Sequence, residues 1–237
     1  ATASGYASHA EGSGSVASGL FAHAEGVFTL ALRSGSHAEG YNTTASGDYS
    51  HAEGYQTLST GSHSHAEGYA TVAAGDYSHA EGRQTSASGT FGHAEGFNNN
   101  AIGESSHAEG RGSVSFGPVS HAEGYYTRAE GFASHTQGAY TTASGDYQTV
   151  VGDSNLTSSA AGAFIIGNGS YGTTRSNLVF ASGSQFQVTG SLMVNDILQL
   201  SVRTTTPTPV EGMIIASGSA GSSVLYYYNG TSWNALF

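Results

Sequence analysis

Ten histidines recur at an unbroken spacing of 14 residues, and each has an acid or its amide two positions further on. The pairs are His9 and Glu11, His23 and Glu25, His37 and Glu39, His51 and Glu53, His65 and Glu67, His79 and Glu81, His93 and Glu95, His107 and Glu109, His121 and Glu123, and His135 and Gln137. An imidazole beside a carboxylate can move protons, ligate a metal ion or make a hydrogen-bonded packing unit. Catalysis is the weakest of these, because a pair repeated ten times has no reason to be catalytic ten times. No Gly-x-Ser-x-Gly, His-Glu-x-x-His, phosphate loop or cysteine nucleophile accompanies it.

The elements that must hold such pairs follow from the period. Fourteen residues are too few for a helical hairpin, and the Gly, Ser and Thr content disfavours helix. Each unit divides into two similar halves of seven, as in Ser50-His51-Ala52-Glu53-Gly54 followed by Thr57-Leu58-Ser59-Thr60-Gly61. The expected unit is therefore one turn of a β-solenoid, with two short strands and two bends closed by glycine. Alternation along a strand sends Ala inward and its neighbours, His and Glu, outward together. Ala24, Ala38 and Ala52 in one half and Ala17, Ala31 and Ala45 in the other then fill a thin coil. Such a coil offers no groove for the two carboxylates, about 5–10 Å apart, of a glycan-cleaving tailspike enzyme.

The Ser-x-Ala-x-Gly half-repeat in a 14-residue coil resembles the YadA-like head of trimeric autotransporter adhesins over about residues 1–167. The resemblance implies an all-β, left-handed parallel β-roll that forms a homotrimer and binds at a surface. This chain departs from the family in placing His and Glu where aliphatic residues are usual. Toward the C-terminal end of the array the columns do turn apolar, through Thr149-Val150-Val151 and Phe164-Ile165-Ile166, which places them away from water. The reading is a polar ladder at the trimer interior, its layers satisfied by His-to-Glu hydrogen bonds. Nine of the 17 acids belong to the ladder; the other eight against six arginines leave −2 of the formal −11. Carboxylates stacked about 4.8 Å apart repel, so a share of the histidines is expected to be protonated in the trimer. A second reading keeps a metal ion at one or two layers, with His63 and His65 as ligands, since His63-Ser64-His65 resembles the His-x-His element that holds iron on the axis of some phage fibres. No other cofactor is implied.

Four residues after successive ladder histidines come Tyr41, Tyr55, Tyr69, Arg83, Phe97, Arg111 and Tyr125, a column suited to stacking on sugar rings or gripping acidic glycans. Aromatics two residues before the ladder position (Phe21, Tyr49, Tyr77, Phe91, Tyr147) read as seals between chains, and Thr29, Thr43, Thr57, Thr71, Thr85, Thr127 and Thr141 as stacked hydroxyls. An acidic chain with six Arg and no Lys is no nucleic-acid binder, and no apolar run approaches the length of a membrane span. Without Cys, the burial a thin roll lacks must come from trimerisation.

The rhythm breaks near Asp153. Three regions are expected: 1–152, the repeat roll; 153–190, a capping region with strands at Asn177-Leu178-Val179-Phe180 and Gln185-Phe186-Gln187-Val188; and 191–237, a small β-module. Pro207-Thr208-Pro209-Val210-Glu211-Gly212 and Leu225-Tyr226-Tyr227-Tyr228-Asn229-Gly230-Thr231-Ser232-Trp233 resemble the ends of many phage tail-fibre chains. A start at Ala1 rather than Met reads as a piece of a longer fibre. The expectation is a non-enzymatic receptor-binding element of a virion tail fibre, joined to other fibre or baseplate proteins and directed at a bacterial surface glycan or protein. The alternative is an adhesin head on the bacterial cell surface.

Overall fold

The computed structural model describes residues 1–172, 174–183, 185–193, 202–203, 214–219 and 222–235. They belong to two compact units, Ala1–Gly190 and Ser191–Phe237. The described elements are all strands, and no helix among them is long and apolar enough to cross a membrane.

In the first unit every 14-residue coil gives one strand to each of two parallel sheets. The histidine sheet pairs His37–Tyr41 with His51–Tyr55 and His51–Tyr55 with His65–Tyr69, so that His meets His, Ala meets Ala and Glu meets Glu. The second sheet stacks Leu30–Ala31, Thr44–Ala45, Leu58–Ser59 and Val72–Ala73 in the same way. Partners differ by one full period, so each sequence column becomes a physical column.

The interior is a double file of small side chains. Ala24, Ala38, Ala52, Ala66 and Ala80 from one sheet and Ala17, Ala31, Ala45, Ala73 and Ala87 from the other have no exposed surface. Buried hydroxyls close the corners: Ser50 Oγ donates to the Gly47 carbonyl at 2.7 Å, and Thr85 Oγ1 to that of Glu81 at 2.9 Å. The threonine column thus lies inside the coil rather than on a flat outer face. Leucine at position 80 would crowd a space that alanines fill from both sheets. Ala80→Leu is expected to cost about 3 kcal/mol and to lower the thermal midpoint followed by circular dichroism; an unchanged midpoint would show that the interior has room.

Glycine does not account for all the bends. Tyr49, His63, Tyr77 and Phe91 occupy the left-handed region at φ 56–58°, as do Gln56 and Gln84 half a coil away. Their backbones are fixed from the preceding coil, Tyr77 N–H donating to the Ser62 carbonyl and Gln56 N–H to that of Tyr41, both within 2.9 Å. A bond repeated in every coil holds a conformation that a lone non-glycine residue would resist.

Past the repeats, Thr149–Asp153 and Phe164–Asn168 extend the histidine sheet, with Val150 and Ile165 in the interior column at no exposure. Asn177–Ser182 then pairs antiparallel with Phe164–Asn168, and Gln185–Val188 with Asn177–Ser182. Buried Gln148 and Asn155 bond the irregular backbone between these strands, Gln148 Nε2 donating to the Ser158 carbonyl at 2.8 Å.

The second unit is a four-stranded sheet ordered Val202–Arg203, Ile214–Ser219, Ser222–Tyr228 and Trp233–Ala235, antiparallel except for its first pair. Asn229 turns the last hairpin, its side chain accepting from Ser232 N–H at 2.9 Å. The Pro207 to Gly212 run and most of Leu192–Leu200 lie outside the described residues.

Candidate functional site: a stacked histidine and glutamate ladder

Because Ala points inward, the flanking His and Glu of each strand share the outer face, and register stacks them. Neighbouring imidazoles from His23 to His135 lie 4.7–5.0 Å apart and nearly parallel. From His51 onward each Nε2 faces the carboxylate of the preceding coil, at 3.8 Å for His51 and Glu39, 3.4 Å for His65 and Glu53 and 3.5 Å for His93 and Glu81. Near the N-terminus the pairing stays within one coil, as between His9 and Glu11 at 3.5 Å. The sequence reading paired each histidine with the acid of its own strand; stacking instead makes the ladder run from coil to coil.

Within one chain this network is incomplete. His121 and Glu109 make a hydrogen bond of 3.1 Å. The Nε2 atoms of His37, His51, His65, His79, His93, His107 and His135 are buried between rings and carboxylates without one. The rings themselves remain about one-third exposed, 33% for His51 and 35% for His65. Glu11, Glu25, Glu39 and Glu53 border an open groove beside the ladder.

Burial, followed by the positive charge that neighbouring imidazoles would carry, pushes His51, His79 and His107 below the ordinary histidine value. A hydrogen bond with the Glu53 carboxyl is the largest of the effects that hold Glu67 below the usual carboxylate range. In the single chain the charged form of these three imidazoles is therefore disfavoured, and ionised Glu67 is favoured. Desolvation is the largest cause for all three rings, because burial penalises the charged form.

The second column is continuous as well. Tyr41, Tyr55 and Tyr69 stack at 5.0–5.1 Å; Arg83 lies over both Tyr69 and Phe97, and Arg111 over both Phe97 and Tyr125. Rings and guanidinium groups form one outward ladder with Tyr41 43% exposed, a surface able to stack on flat or acidic groups.

His63 and His65 belong to different columns. His63 stacks between Tyr49 and Tyr77 at 5.2 and 5.0 Å, whereas His65 sits in the imidazole stack. Among the described residues, the ligating side chains that converge are instead His51, Glu53 and His65; His79, Glu81 and His93; His107, Glu109 and His121; and Glu25, His37 and Glu39.

Sequence reasoning missed a cluster at the end of the Tyr and Arg ladder. Tyr140 stacks on Tyr171 at 3.9 Å and lies edge-on to Tyr125, while Arg175 donates to the backbone carbonyls of Tyr140 and Asn155. Tyr126 and Tyr140 are one period apart, and that spacing was the available signal. The opposite sheet also carries an unanticipated pairing, Arg128 over the Phe116 ring at 4.6 Å and bonded to Glu130.

These features define a parallel β-solenoid that displays unbroken outward columns on a core of alanine. The YadA head domain repeat matches residues 1–22, 10–32, 38–64 and 101–127, so the array contains YadA-like head repeats. No curated protein matches the chain.

Proposed function

We propose that the chain is a non-enzymatic attachment head that works as a homotrimer, displayed outside a bacterial cell as adhesin heads are. The observation that carries the reading is the ladder: ten layers of polar side chains, partly exposed, seven of whose histidines lack a hydrogen-bond partner in one chain, on coils that carry the matched head repeats. Two further copies around an axis would cover this face and supply those partners. The Tyr and Arg column would remain on the flank as the contact for a surface glycan or protein, three copies per head giving avidity to weak contacts. Alanine-filled coils supply adhesion without a substrate cleft. A virion tail fibre is the second reading, supported by the run from Leu225 to Trp233.

Light scattering at neutral pH is expected to give three times the 24.1 kDa chain mass. A monomer would overturn the trimer. Arg83→Ala combined with Arg111→Ala should weaken attachment to target cells at least several-fold with the mass unchanged. Unaltered attachment, or loss only on deleting 191–237, would move recognition off the flank.

A further inference from the structure

We propose that the ladder binds divalent transition-metal ions, one for every two coils, between His, the Glu two residues on and the His of the next coil. In three groups, exemplified by His79, Glu81 and His93, one nitrogen from each ring and one carboxylate oxygen lie within 4.8 Å of one another. The distances separate an ion site from an ion pair. A charge-assisted N–H to carboxylate bond closes to about 2.7–2.9 Å, yet His93 stands 3.5 Å from Glu81 and His65 3.4 Å from Glu53. An ion bound at about 2.0–2.1 Å in tetrahedral geometry separates its ligands by about 3.3–3.4 Å. The carboxylate and the imidazole of the next coil thus already stand at the spacing an ion imposes, and the two stacked rings, 5.0 Å apart at His79 and His93, close toward each other when it binds.

The buried Nε2 atoms supply the second observation. Those of His65, His79 and His93 have no hydrogen-bond partner, and a lone pair directed at a metal would satisfy each of them. Two imidazoles and a carboxylate suit zinc, nickel, cobalt or copper rather than calcium or magnesium. Stoichiometry follows from exclusivity: a site that uses two stacked rings takes both from its neighbours, so ions fall in alternate layers. At strand spacing that sets them about 10 Å apart, and each is offset by a carboxylate. All three ligands come from one chain, so binding does not depend on trimer formation; a water or another chain completes the fourth position.

The test is zinc titration of the full chain, stripped with chelator, with retained metal counted after gel filtration. Three to four ions per chain are expected, the fourth at Glu25, His37 and Glu39. A rise in thermal midpoint that chelator reverses should accompany them. Glu81→Gln, which preserves shape, and His93→Gln should each remove one ion. Retention of fewer than one ion per chain, or a count unchanged in Glu81→Gln, would overturn the proposal; light scattering on the same samples reports separately on the trimer.

Discussion

Gly68→Ala is expected to unfold the middle of the roll, although it adds a single methyl group. Gly68 has φ +104°, and a Cβ there would run into the Gly82 carbonyl and backbone nitrogen in the next coil. Gly54 and Gly82 stand in the same position above and below, at φ +105° and +96°. Backbone strain alone costs roughly 1–3 kcal/mol. The clash adds to it, because relief requires two coils to part where His65 and Ala66 pair with His79 and Ala80 and Tyr69 bridges to Arg83. A total above about 3 kcal/mol is a large share of the ~5–15 kcal/mol by which domains are stable. Gly162→Ala is the control: φ is +66° and nothing lies within 4 Å of the added methyl, so its cost should stay near 1 kcal/mol. Urea unfolding of both variants tests the difference, and equal midpoints would show that the coil contact is not rigid.

That asymmetry marks what the sequence could reveal. The coil, its two strands, the alanine interior and the outward direction of His and Glu were legible because a strict period converts a sequence column into a spatial one. Left-handed residues at Tyr49, His63 and Tyr77 were not, since their conformation is fixed by hydrogen bonds from the preceding coil and local propensity opposes it. Pairing from coil to coil was hidden for a related reason: neighbours two residues apart are visible in sequence, whereas those twelve apart, such as Glu53 and His65, become visible only after register is known. The YadA-like resemblance stands on the repeats; the likeness of residues 225–233 to tail-fibre ends has no such support.

Acidification should weaken the roll in two stages, the first near the ordinary histidine value. For His51, His79 and His107 the folded value lies below the 6.5 of the free side chain, so the unfolded chain takes up protons first as pH falls. Stability is then complete above about pH 6.5 and declines as pH drops through that value toward the folded one. The faces that set this are those around each ring: for His51 the imidazoles of His37 and His65 oppose the proton together with burial, and Glu39 and Glu67 favour it. Glu67, also lowered, contributes in the same direction at lower pH, its share lost as pH falls below the ordinary carboxylate value of 4.5. Thermal midpoints measured with chelator present should therefore fall between pH 7.5 and 5.5 and again below pH 4.5. Replacing His51 and His107 with glutamine should reduce the first decline and leave the second, since neither ring is among the groups that lower Glu67. A midpoint that rises on acidification to pH 5.5 would mean that proton-sharing with the carboxylates outweighs burial, and the ladder would be held by charged imidazolium after all.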